Sequence, residues 1–385
     1  MMTMKHLKIC LLTAVFALSA LLSGCGAAPT STEAAAASSA GSAETVTITD
    51  HAGNTVTLPK DIQRIAVCNI LPLPSVLTVF FDSAEKIVAM APGSMAAAKN
   101  GLLGELYPEL LNADTGAIGD ADVNTEELMK LDPQVVFYSA SNPQIGESLR
   151  NAGFNAVALS VNKWEYNTVE TLNQWMALLG EIFPGNDRRS QVKQYSEESM
   201  ALVQERTASL TDAERARVFF LFNYSDTAIV TSGSNFFGQF WADAIGAVNV
   251  AEELTDDNAV RVTLEQVYAW DPEVILMTNF TTAQPQDLYQ GTVGSYDWST
   301  ISAVKQEQVY KMPLGMYRSY TPGVDTPITL LWLAKTVYPD LFSDIDITEK
   351  TVDYYKTVFG VTLTEEQAES IFSPSAAAGS VHISK

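Results

Sequence analysis

One segment of the 385-residue chain occurs twice, and that duplication constrains the fold more than any other feature. Residues 124–137, NTEELMKLDPQVVF, are matched 139 residues further on by residues 263–276, TLEQVYAWDPEVIL. Each copy reads as a helix, a stop and a strand. Asn124 and Thr263 are N-cap residue types with Glu127 and Gln266 three positions on, the arrangement of a capping box. Leu128 and Leu131, like Val267 and Trp270, are three apart and share a helix face. The Asp-Pro pair ends the helix, because a residue before proline avoids the α region. The apolar run that follows fits a parallel strand covered on both faces. Two such units about a domain apart predict two similar α/β lobes.

The flanking sequence fits that frame. Residues 45–59 place two alternating β-branched runs around a turn, which predicts a hairpin. Residues 64–68 follow as a short buried strand, and Cys68 at its end reads as a small buried hydrophobe. Residues 186–213 lack Pro and Gly and are mostly polar, with Val192, Tyr195, Met200 and Val203 spaced along them. This predicts one long solvated helix, roughly 30 Å for about 20 residues, long enough to bridge two lobes. The strand pattern restarts at Arg217. The expected organisation is an N-terminal lobe over 45–185, a bridging helix over 186–213, a C-terminal lobe over 214–375 and a tail over 376–385.

The start of the chain reads as targeting sequence. Lys5, His6 and Lys8 precede a largely apolar run over 9–22, too short to span a bilayer comfortably. Leu22-Ser23-Gly24-Cys25 then resembles the lipobox of bacterial lipoproteins. The resemblance implies a signal peptide over 1–24, lipidation of Cys25 and extracytoplasmic anchoring to the bacterial cell membrane, with 25–44 as a flexible tether. Cys68 is then left without an intramolecular partner. The net charge of −22 argues against nucleic acid, which needs a basic footprint. No P-loop, HExxH or GxSxG motif is present, and the three His are scattered, so no catalytic residue and no direct metal ligand is expected.

Lipobox, tether, a hairpin ending in Val-Thr-Leu-Pro, the Arg-Ile-Ala-Val strand and the repeated Asp-Pro unit together resemble one family: the substrate-binding lipoproteins of ATP-binding-cassette importers for iron–siderophore, haem and cobalamin-type ligands. Residues 237–251, 298–310 and 338–342 resemble further segments of that family in the same order. The resemblance implies two Rossmann-like lobes joined by one long helix, with the ligand in the cleft between them. It further implies a non-enzymatic monomer without cofactors that captures a ferric-siderophore-like metal chelate, or alternatively a corrinoid, haem or oxyanion, and delivers it to a membrane permease. A lipid-anchored α/β surface enzyme is the reading from a different class. Members of the family carry an acidic residue on each lobe for docking the permease; Glu147 and Asp287, each just beyond a repeat strand, are the candidates.

In open α/β sheets ligands bind outside the carboxyl ends of the strands. Lobe-one candidates by that rule are Asn69, Ser94, Lys99, Lys163, Trp164 and Tyr166, with 139–142 beside them. Lobe-two candidates are Tyr224, Phe236, Asn279, Tyr317, Arg318 and Tyr320. Arg318 is the sharpest: it lies between two Tyr in a Gly- and Pro-bounded loop, and a guanidinium with phenols suits an anionic, oxygen-rich ligand.

Overall fold

The described residues of the computed structural model are 44–119, 122–185 and 189–379, so the expected signal peptide, Cys25 and His382 lie outside them. Strands β1 (Thr45–Thr49) and β2 (Thr55–Pro59) pair antiparallel. The buried carboxylate of Asp50 closes their turn, accepting from the N–H groups of Ala52 and Asn54 at 3.0 and 2.8 Å. Next come β3 (Ile65–Val67), α1 (Leu73–Phe81), β4 (Ile87–Met90), α2 (Pro92–Asn100), α3 (Leu102–Leu106), α4 (Thr125–Lys130), β5 (Val135–Ser139), α5 (Pro143–Asn151), β6 (Ala156–Leu159) and α6 (Thr168–Ile182). The strands from β3 on form a parallel sheet in the order β4-β3-β5-β6. Cys68, at the end of β3, is fully buried, and burial pushes its thiol up to about 12.

After α7 (Arg189–Thr207) the second lobe comprises β7 (Arg217–Ser225), β8 (Ala228–Ser232), α8 (Phe237–Ala244), β9 (Val248–Asn249), β10 (Ala259–Val262), α9 (Leu264–Trp270), β11 (Val274–Met277), α10 (Pro285–Gln290), α11 (Ser302–Lys305), β12 (Val309–Lys311), α12 (Thr326–Val337), α13 (Ile347–Phe359) and α14 (Glu365–Phe372). Its parallel strands run β9-β7-β11-β12, the order of the first sheet, and β8 and β10 extend it antiparallel beside the far half of β7. In both sheets the chain order reverses beside the first strand, at β3/β5 and at β7/β11, and such switch points open crevices at the carboxyl ends.

The duplicated segment supplies α4–β5 in one lobe and α9–β11 in the other. Both Asp-Pro stops use the left-handed region, with φ +46° at Asp132 and +40° at Asp271, which a short polar side chain tolerates. The helix ends are closed the same way. Arg64 donates its Nε to the Leu131 carbonyl at 2.9 Å, and Arg217 donates an Nη2 to the Trp270 carbonyl at 2.8 Å. The capping box forms at Thr263–Gln266, but at α4 only Asn124 accepts, because Glu127 turns to Lys130 at 2.6 Å.

Helix α7 connects the lobes, with Val192 in the first lobe's core and Val203 in the second's. It ends at Thr207, short of the expected 213. There Glu214 accepts from both the N–H and the hydroxyl of Thr211, at 2.9 and 2.7 Å, and fixes a turn instead. A second departure is larger. Tyr354, Tyr355, Val358 and Phe359 of α13 and Ile371 of α14, expected in the C-terminal lobe, are buried in the core of the first. The chain therefore crosses back after α12, which the boundary at 375 did not capture.

Candidate functional site

The carboxyl ends of the two sheets face each other, and aromatic side chains fill the middle. Tyr166, after β6, reaches across to the edges of Phe236 and Phe237 at 5.4 and 5.0 Å between ring centroids. Phe236 meets Phe222 at 5.3 Å, Phe222 stacks on Phe280 at 5.0 Å, and Tyr320 meets Phe222 at 5.6 Å. Glu165 and Tyr166 both have positive φ, +52° and +56°, a strained pair that aims Tyr166 at the opposite lobe. Its hydroxyl lies 3.3 Å from the Asn258 side-chain oxygen.

Beyond this wall, on the β4/β12 side, lies Arg318. Only 1% of it is exposed. Its guanidinium sits 4.9 Å from the Phe280 ring and 5.3 Å from that of Tyr317. Nη1 donates to the Tyr317 hydroxyl at 2.8 Å and to the Gly93 carbonyl, at the start of α2, at 3.1 Å. Nε and Nη2 both donate to the Ala378 carbonyl, at 3.1 and 2.7 Å. Every acceptor is neutral; among the described residues no carboxylate lies within ion-pair distance of Arg318. A buried cation satisfied only by neutral oxygens retains its full charge, and the N-terminus of α2 adds positive potential beside it.

Nearby groups reinforce that reading. Asn279 donates to the Met312 and Pro313 carbonyls at 2.7 and 3.1 Å, while its side-chain oxygen and the buried Ser319 hydroxyl have no hydrogen-bond partner among the described residues. Buried Lys311 donates to the Thr281 and Ala283 carbonyls, each at 2.7 Å. Burial pushes its ammonium down to about 7, with Arg318 adding to the depression and Asp287 opposing it. Asp325 braces the loop, accepting from the Met316 N–H at 2.7 Å and the Tyr355 hydroxyl at 2.7 Å; burial lifts its carboxyl to about 6.

The opposite end, on the β6/β10 side, is open. A hollow of about 580 Å³ is lined by His51, Ser141, Ser160, Lys163, Tyr166 and Asn258, among others. Lys163 is exposed, with its ammonium 5.8 Å from the half-buried Trp164 ring, and Trp164 meets His51 edge-on at 5.0 Å. Burial, with Lys163 beside it, holds His51 down to about 4.

The remaining expected contacts fall elsewhere. Tyr224 is a core residue: it donates to the Val293 carbonyl at 2.8 Å, accepts from the Trp298 indole at 2.9 Å and packs away from the cleft. Tyr320 is fully buried, its hydroxyl accepting from the Gly238 N–H at 3.0 Å and its carbonyl from the Trp241 indole at 2.9 Å, so it anchors the loop to α8. Asn69 and Ser94 tie lobe one together, through the Ser139 N–H at 3.1 Å and the Leu71 carbonyl at 2.7 Å. Lys99 is exposed in the last turn of α2, about 10 Å along the helix from the strand end. Glu147 is exposed on α5, whereas Asp287 caps α10, accepting from the Gln284 N–H at 2.7 Å. The segment Ala376–Gly379, read from sequence as tail, instead supplies Arg318's main acceptor. Nothing in its small-residue composition signalled that role.

Residues 93–314 match the family described as periplasmic binding protein. The molybdate-binding protein MolA of Haemophilus influenzae is 26% identical over 340 residues, spanning 83% of this chain and 93% of that protein. The molybdate-bound structure of MolA, the cognate binding protein of an ABC transporter, aligns with a TM-score of 0.69 over 83% of this chain and 99% of that one. A periplasmic solute binding protein from Veillonella parvula gives a TM-score of 0.75 at 28% identity, covering 86% and 97% of the two chains. At 19% identity, CeuE of Helicobacter pylori in its Ni–His complex shares the fold, with a TM-score of 0.65 over 86% of this chain and 99% of its own.

Proposed function

We propose, from the premise that this chain belongs to the periplasmic binding protein family, that it captures a small divalent oxyanion at Arg318. It is the solute-binding component of an ABC importer, acting outside the cytoplasm and binding rather than transforming its cargo. The observation that carries the ligand class is the buried guanidinium answered, among the described residues, only by neutral oxygens. In a chain of net charge −22 an approaching anion meets repulsion, and a desolvated local cation must outweigh it. Arg presents paired planar donors that match an oxyanion edge, and at short range in a dry site such pairs are strong. The molybdate-bound relative supports the same class.

The ferric-siderophore-like chelate expected from sequence has the same need for an anion contact. The compact oxyanion is favoured because the ring-to-ring contacts of Tyr166, Phe236, Phe222 and Phe280 occupy the middle of the cleft, where a large chelate would lie. Lipidation at Cys25 and permease docking through the exposed Glu147 complete the proposal. Calorimetry with molybdate, sulfate and a ferric catecholate decides it. Saturable 1:1 binding of molybdate and no heat from the chelate is expected; tight chelate binding without molybdate binding rejects the oxyanion reading.

A further inference from the structure

The short turn after α14 lies on the guanidinium that the ligand needs. Nε and Nη2 form the edge of Arg318 that would grip two oxygens of an anion. Both point instead at one neutral oxygen, the Ala378 carbonyl, at 3.1 and 2.7 Å. We propose that Ala376–Gly379 is a built-in occupant of the anion site, and that ligand binds by exchanging with it. This rests on the reading of Arg318 as the anion contact.

Three observations carry the inference. The turn is made of Ala376, Ala377, Ala378 and Gly379, and the last two are buried. It is slender by necessity: a Cβ on Gly379 would sit 2.1 Å from the Thr281 carbonyl oxygen. Its other hydrogen bonds are local, Ala377 N–H to the Ser375 hydroxyl at 3.2 Å and Ala378 N–H to the Ser375 carbonyl at 3.1 Å. Among the described residues the Arg318 pair is therefore its only hydrogen-bonded tie to the rest of the protein. A divalent oxyanion outcompetes it because it brings an opposite charge and two oxygens to that edge, where Ala378 offers one neutral oxygen. A halide offers no paired oxygens to that edge, so the occupant also sets a threshold that weaker anions fail.

Such an internal competitor lowers the apparent affinity by the fraction of molecules in which the site is free. Two variants remove it without touching Arg318: a chain ending at Ser375, and Gly379→Val, which the Thr281 backbone cannot accommodate. Calorimetry with sodium molybdate should show both binding roughly tenfold tighter than the full chain. Hydrogen exchange over 376–379 should accelerate when molybdate saturates the unaltered protein, and without ligand in Arg318→Ala. Unchanged affinity in both variants, while Arg318→Ala still abolishes binding, overturns the exchange and leaves the anion reading intact. Binding by Arg318→Ala equal to the unaltered protein overturns the anion reading itself, and this proposal with it.

Discussion

At the β4/β12 end of the cleft a guanidinium is buried with, among the described residues, only neutral partners, whereas at the β6/β10 end an ammonium stands in water beside a tryptophan. Both are single cations on loops that follow a strand, and a sequence pattern ranks them alike. Their surroundings separate them. Charge in water is screened, and an exposed pair is worth about 0–1 kcal/mol. Charge held out of water without a counterion makes an anion far more valuable there. On the proposed reading, the dry end is the binding end.

The largest expected effect breaks the dry end. Arg318→Ala should cost about 2–5 kcal/mol of molybdate affinity, because the anion's charge is left unpaired in a buried site. Arg318→Lys should recover part of it, since Lys lacks the paired planar donors. Calorimetry on the three proteins measures both. Next in size is the boundary between the two ends. Tyr166→Ala removes a buried ring touching two others, and should lower the unfolding free energy by about 3 kcal/mol in urea titrations.

Much of this framework was legible in sequence, for local reasons. The duplicated helix–Asp-Pro–strand unit carries its own caps and stops, so both lobes announce themselves within short windows. Arg318 stood out because a Gly- and Pro-bounded loop isolates it between two Tyr. Its acceptors did not: Gly93 lies 225 positions away and Ala378 60, and neither backbone carbonyl leaves a trace in residue type. The same limit hid the return of α13 to the first core, since amphipathic spacing gives a buried face but not what covers it. Tyr224 was misplaced because a strand-end tyrosine reads alike whether it faces the cleft or Trp298.

A smaller effect sharpens the electrostatics of the dry end. Lys311 is depressed in the folded protein, to about 7 from 10.5, so between those values the unfolded chain binds more protons. Its contribution to stability therefore rises with pH across that window, by linkage. A bound anion restores the charged form, so the complex takes up protons and molybdate affinity should fall as pH rises above about 7. Titrations in buffers of different ionisation enthalpy detect the uptake, which should vanish in Lys311→Met. Smallest of all is the open end: Lys163→Ala should stay within about threefold of the unaltered protein by calorimetry, as suits a screened surface charge.

The most direct test is anomalous diffraction from crystals soaked in molybdate. One strong molybdenum peak is expected within hydrogen-bonding reach of the Arg318 guanidinium, with the Ala378 carbonyl moved off it. A peak instead among His51, Ser160 and Lys163, with Ala378 still on Arg318, would contradict it.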